Sequence, residues 1–254
     1  MPPAKDAYIK TAARSRLSMV AKFLGVLVLA AGLYVILLAF PYPLFSYVER
    51  FRDITIYSDR PISPNLRFVV DSVRERLRKS PLNDESLQHR IFICNSDWRF
   101  TLFTNRDYHA AGVNQAWLNR NIFLRRSDTE HNRLIGPSGK VVPGERTLAY
   151  FMTHEIVHSL EVRFLGRWSY LQLPAWKREG YADYVAKDPN FISAERLAAL
   201  RNDAPEMNPR RSGLYLRHHL LVAYLLDVQK MDPAKMLVQP FSETLLEQQL
   251  REMK

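Results

Sequence analysis

Two histidines four positions apart enclose a glutamate in His154-Glu155-Ile156-Val157-His158. On a helix the i and i+4 side chains share one face, so both imidazoles can reach a single Zn²⁺ at about 2 Å. Glu155 lies beside that face, where a carboxylate can take a proton from a water activated by the metal. Leu148, Phe151, Ile156, Val157 and Leu160 make this a helix that must be buried. Two imidazoles and a carboxylate on a buried helix need partners. Metal ligation supplies them. Ordinary hydrogen bonding of buried histidines is the alternative, and it leaves Glu155 unexplained.

A hydrolytic zinc needs a third protein ligand and one open position. Glu161 shares the angular stripe of His154 and His158, but a rise of about 1.5 Å per residue puts it roughly 10 Å from His154 along the axis. It suits a salt bridge or a contact that steadies a ligand. Glu179 is the better third ligand. It lies in the next predicted helix, "PAWKREGYADY", beyond a turn long enough to bring that helix back.

The pair His154–His158 followed by W-x-x-E-G-x-A-x-Y at 176–184 resembles the gluzincin metallopeptidases, the thermolysin-like class. The likeness covers roughly residues 90–230 and is specific over 147–184. It implies a zincin-like domain with zinc held by His154, His158 and Glu179, and Glu155 as general base. It also implies that Asp183, one turn after Glu179, steadies a ligand histidine through its free ring N–H. Peptide hydrolysis further needs a donor for the oxyanion. The helix predicted at 214–230 offers Tyr215, His218 and His219. Its register is similar to that of a helix in aminopeptidase-like gluzincins whose leading tyrosine faces the active site, which favours Tyr215, with His219 as the alternative. The G-x-M-E-N stretch that grips a free amino terminus in the aminopeptidases is absent, which argues against an exopeptidase.

The elements that must position these residues follow from pattern. "DITIYSD" (53–59) alternates as a strand. Ser63 and Pro64 suit the start of a helix striped by Leu66, Val69, Val70, Val73 and Leu77. "HRIFICNS" (89–96) reads as a buried strand, "WRFTLFT" (98–104) and "GVNQAW" (112–117) as weaker ones, and "NIFLRR" (121–126) as a better one, which the gluzincin resemblance implies is the sheet edge beside the zinc, where a peptide could add. Residues 136–145 read as loop. Helices are expected over about 146–164, over 174–187 with an interruption near Gly180, over 214–230, from Asp232-Pro233, and over 242–254, with loop at 202–213. Strands and one helix come first and helices after. That is an α+β chain: a small mixed sheet with its active-site helix, then a helical C-terminal part.

Ahead of this domain, expected over 46–254, Phe23 to Phe40 runs without a charge. With Met19 to Lys22 it reaches the roughly 20 residues that a bilayer requires, giving a transmembrane anchor over 19–40 in contact with lipid. Phe40, Tyr42, Phe45 and Tyr47 suit an aromatic interface belt. The exit "LLAFPYPLF" is a poor cleavage site for the competing signal-peptide reading. Lys5, Lys10, Arg14, Arg16 and Lys22 precede the span, while Arg50, Arg52 and Arg60 follow it. That bias puts residues 1–18 in the cytoplasm and the catalytic domain on the periplasmic or other extracytoplasmic side.

The chain has 254 residues and a net charge of +10, of which residues 1–40 supply +4. No dense Lys/Arg block or nucleic-acid motif accompanies the rest, so no nucleic-acid partner is expected. Cys94 is the only cysteine, which excludes an intramolecular disulfide and a cysteine zinc cluster. The function expected is that of a membrane-anchored zinc peptidase acting on peptide or protein substrates. The alternative is a zinc-holding scaffold or regulatory module of the cell envelope with little turnover.

Overall fold

A computed structural model describes residues 4–104, 110–116, 118–187 and 191–253. The chain divides into two compact units, the second starting at Leu44. Parts of the expected strand at 112–117 and of the last helix, at Trp117 and Lys254, lie outside the described residues.

The first unit is one helix, α1 (Ala4–Ala39). Its Met19–Ala39 segment has a mean hydropathy of 2.4 and is long and apolar enough to cross a membrane. Twenty-one residues at about 1.5 Å each match a hydrocarbon core of about 30 Å.

The second unit is mixed α+β. It opens with β1 (Tyr47–Phe51), β2 (Ile54–Ser58), α2 (Leu66–Arg78), β3 (His89–Ile93), α3 (Asp97–Phe103), β4 (Gly112–Asn114) and β5 (Asn121–Leu124). A small hairpin follows, β6 (Ser127–Asp128) with β7 (Arg133–Leu134). The helical part comprises α4 (Leu148–Leu165), α5 (Arg167–Gln172), α6 (Ala175–Ala186), α7 (Ala194–Arg201), α8 (Pro209–Ser212), α9 (Leu216–Ala223), α10 (Pro233–Val238) and α11 (Glu243–Glu252). A π-helical turn, Tyr224–Val228, continues α9.

The main sheet has the order β1-β2-β3-β5-β4. Its three central strands are parallel and both outer strands are antiparallel to their neighbours. The period of two along each strand divides its faces by chemistry. Ile56, Ile91 and Ile122 stand in register on one side, and Tyr57, Phe92 and Phe123 on the other. The aliphatic side joins the core formed with α2 and α4. On the aromatic side the Tyr57 and Phe92 ring centroids are 4.7 Å apart, Phe92 and Phe123 5.1 Å, and Phe103 and Phe123 4.4 Å. Burial of Phe92, Phe103 and Phe123 contributes about 1.5–3 kcal/mol each.

Several elements differ from the sequence expectation, each for a physical reason. The stretch 98–104 alternates like a strand, yet it is α3. Phe100 and Phe103, three apart, share the buried face of that helix. Phe45 is not in an interface belt; it is 4% exposed, with its ring 5.1 Å from Phe92. Strand β5 is internal, and the sheet edge beside α4 is β4. Helix α6 runs unbroken through Gly180. A Cβ at Gly180 would stand 2.5 Å from the His218 carbonyl oxygen. The glycine therefore serves the close crossing of α6 and α9 rather than a break.

Candidate metal centre

Helix α4 is the centre of the domain. Thr147 caps it by accepting from the Tyr150 N–H, and every residue from Leu148 to Val162 is buried. A helix buried all round must sit between other elements, and α4 packs against α2, α6, α5 and strands β4 and β5. Its buried polar residues include His154, Glu155, His158 and Glu161.

Helix α6 returns alongside α4 and brings Glu179 to the two histidines. Glu179 Oε2 lies 3.4 Å from His154 Nε2 and 3.6 Å from His158 Nε2. One ligand atom from each of the three residues falls within 4.8 Å of the others. Two donors each about 2.1 Å from one tetrahedral ion stand about 3.4 Å apart. The two shorter separations thus match ligand-to-ligand spacing and are longer than good hydrogen bonds. The group could hold a metal ion. Imidazole and carboxylate donors suit several divalent metals, so the donor set alone does not name the ion.

The ring nitrogens remote from Glu179 differ. His158 Nδ1 is 2.9 Å from Glu161 Oε2, an arrangement that keeps Nε2 free for a metal. His154 Nδ1 is buried without a hydrogen-bond partner among the described residues. Burial raises the Glu161 carboxyl to about 7, against the pull of His158. Burial likewise opposes charge on Glu179, but His158 and His154 outweigh it and hold that carboxyl well below its ordinary range. Burial raises Glu155, with His158 and His154 acting in the opposite sense.

Strand β4 shapes the place of Glu155. A Cβ at Gly112 would lie 2.6 Å from Leu124 Cδ2 and 2.9 Å from Glu155 Oε1. The bare glycine makes room for that carboxylate. Asn114 donates through Nδ2 to the Glu155 carbonyl oxygen and, at 2.8 Å, to Ser159 Oγ. This ties the edge strand to α4. The stretch 112–114 reads as part of a weak strand, which by itself gives no signal of that role.

A cavity of about 450 Å³ opens on the group. His154, Glu155, His158 and Glu179 line it together with Tyr170 and Tyr215. Tyr215 precedes α9, its ring stacked against His154 at 5.7 Å between centroids. Burial, then the Glu179 and Glu155 carboxylates, raise its pKa, so the phenol keeps its proton and stays a donor. His219 is placed elsewhere. It is 1% exposed, its Nδ1 is 3.0 Å from Asp183 Oδ2 and its ring stacks on Phe191. It does not line the cavity.

Asp183 also differs from expectation. Its carboxylate accepts from the Tyr150 hydroxyl at 2.5 Å and from Lys187 Nζ at 2.7 Å, besides its contact with His219. None of its hydrogen bonds reaches His154 or His158. Burial opposes its charge; His219 and Lys187 outweigh burial and hold its pKa low. With three partners converging on it, Asp183 knits α4, α6 and α9 behind the group. The contact to an imidazole of the candidate group is made by Glu161 instead.

No protein-family model matches the chain, and no curated protein matches it.

Proposed function

We propose that this chain is a membrane-anchored zinc peptidase of the gluzincin type, with a zincin-like domain after its N-terminal span. The observation that carries the reading is the convergence of His154, His158 and Glu179 beside a buried Glu155, in a cavity that Tyr215 also lines. Zinc, when bound, supplies Lewis acidity to a scissile carbonyl and to a water. Glu155 Oε is the proton acceptor, and the raised pKa that burial gives it suits a group that must then pass the proton to the leaving amine. The Tyr215 hydroxyl donates to the oxygen on which charge develops. Strand β4 is the sheet edge and lines the cavity through Gly112 and Asn114, so an extended peptide can add to it as a further strand.

The span supports anchoring, and the excess of Lys and Arg ahead of it supports a cytoplasmic N-terminus with the domain on the extracytoplasmic side. The test is Glu155→Gln in the full chain, read by zinc content and by cleavage of a peptide library. Zinc retained with cleavage lowered about 10²–10⁴-fold is expected. Full cleavage in that variant removes Glu155 from the mechanism. Stoichiometric zinc with no cleavage by the unaltered chain makes the protein a zinc-holding module.

A further inference from the structure

Arg178 precedes the ligand Glu179 and is fixed on two sides. Its Nε lies 3.0 Å from Glu179 Oε1, the oxygen turned away from the histidines. Its guanidinium carbon sits 5.7 Å from the centroid of the Tyr170 ring. The terminal nitrogens of Arg178 make no hydrogen bond or ion pair among the described residues, and its side chain is 29% exposed. An arginine held by an ion pair and a ring has already lost much of its conformational freedom.

Arg178 also stands where two cavities meet. One is the 450 Å³ cavity of the metal group, and the other, about 980 Å³, lies toward α9 and α11. Both are lined by Arg178, Glu179 and Tyr215. Most of the charge in the larger cavity is already committed. Arg217 is paired with Glu243 and Glu247, and Arg251 with Asp203 and Glu247. Arg178, whose Nε alone is paired with Glu179, keeps its terminal N–H donors to spare, and so does the exposed Arg211. A planar guanidinium with two free parallel N–H groups is matched by a carboxylate, which it binds bidentately.

We propose that Arg178 is a substrate-carboxylate receptor. A peptide lying across the metal group extends past Tyr215 into the larger cavity, where its carboxylate pairs with the terminal nitrogens of Arg178. That carboxylate is either an Asp or Glu side chain or the peptide's own C-terminus. The proposal rests on the peptidase reading for the identity of the ligand.

The experiment measures binding rather than turnover, so it stands apart from the cleavage test above. Three labelled peptides share one uncharged core: a C-terminal amide, a free C-terminus, and an amide with one internal Glu. Each is titrated by fluorescence anisotropy onto the zinc-loaded full chain carrying Glu155→Gln. At least one carboxylate peptide is expected to bind about tenfold or more tighter than the neutral amide. Which one does so identifies the source of the carboxylate. Adding Arg178→Gln is expected to abolish the difference with zinc content unchanged. If that change also releases zinc, the comparison is made in Arg178→Lys, which keeps the charge, loses the bidentate fork, and is expected to narrow the preference. Equal binding of all three peptides, or a preference undiminished in a zinc-loaded Arg178 variant, overturns the proposal.

Discussion

Glu161 Oε2 lies 2.9 Å from His158 Nδ1, three residues back along the same buried helix. With Nε2 directed at Glu179, the Nδ1 proton belongs on the Glu161 side. The contact favours a proton on Nδ1 and holds the ring orientation. Losing such a partner costs a metal site about 10–100-fold in affinity. Glu161→Gln is therefore expected to weaken metal binding by about that factor without abolishing it, as read by competition with a chelating dye. Unchanged affinity would show that Glu161 does not orient the ligand.

Gly112 faces Glu155 across the seam between β4 and α4. Gly112→Ala would place a methyl group 2.9 Å from Glu155 Oε1, and the carboxylate must move. A misplacement of about 1 Å in catalytic geometry can cost about 10²-fold. Hydrolysis is expected to fall about 10–100-fold with zinc content unchanged. Unimpaired hydrolysis in this variant would mean that the position of Glu155 is not critical.

His89 opens β3 at 4% exposure. Burial lowers its pKa from 6.5 to about 4, with Asp53 opposing and Arg120 assisting. The unfolded chain takes up a proton near pH 6.5 that the folded chain refuses until about pH 4. The resulting penalty is absent above about pH 6.5 and grows as pH falls toward 4, reaching about 3 kcal/mol. His89→Gln is expected to flatten the pH dependence of unfolding free energy by close to one proton between pH 4.5 and 6. A slope identical to that of the unaltered chain would remove His89 as its source.

The candidate metal-binding group, as a cluster of His154, His158 and Glu179, was legible because its signals are local. His154 and His158 are fixed by one helical turn, and the all-apolar flanks of α4 announce its burial. Glu179 was reachable because its helix α6 starts soon after α4, with only the short helix α5 between them. What escaped depends on contacts between distant segments. Gly112 to Asn114 form a strand within the stretch read as a weak one, yet nothing in the sequence marks them as the edge beside Glu155. Gly180 looks like a helix breaker in sequence, and only the approach of the His218 carbonyl explains it. Asp183 has the spacing of a ligand-steadying acid, but Tyr150, Lys187 and His219 claim its oxygens first. Strand β1 shows little burial of its own, so its pairing with β2 left no hydrophobic trace.

The metal group itself is tested most directly by X-ray absorption at the zinc edge on the full chain, alongside Glu179→Gln. Two imidazole nitrogens and one carboxylate oxygen at about 2.0–2.2 Å, plus one light exchangeable ligand, are expected. The Glu179→Gln spectrum is expected to lose the carboxylate contribution, with weaker binding. No stoichiometric zinc in the unaltered chain, or a spectrum and affinity that Glu179→Gln leaves unchanged, would contradict a centre built on His154, His158 and Glu179.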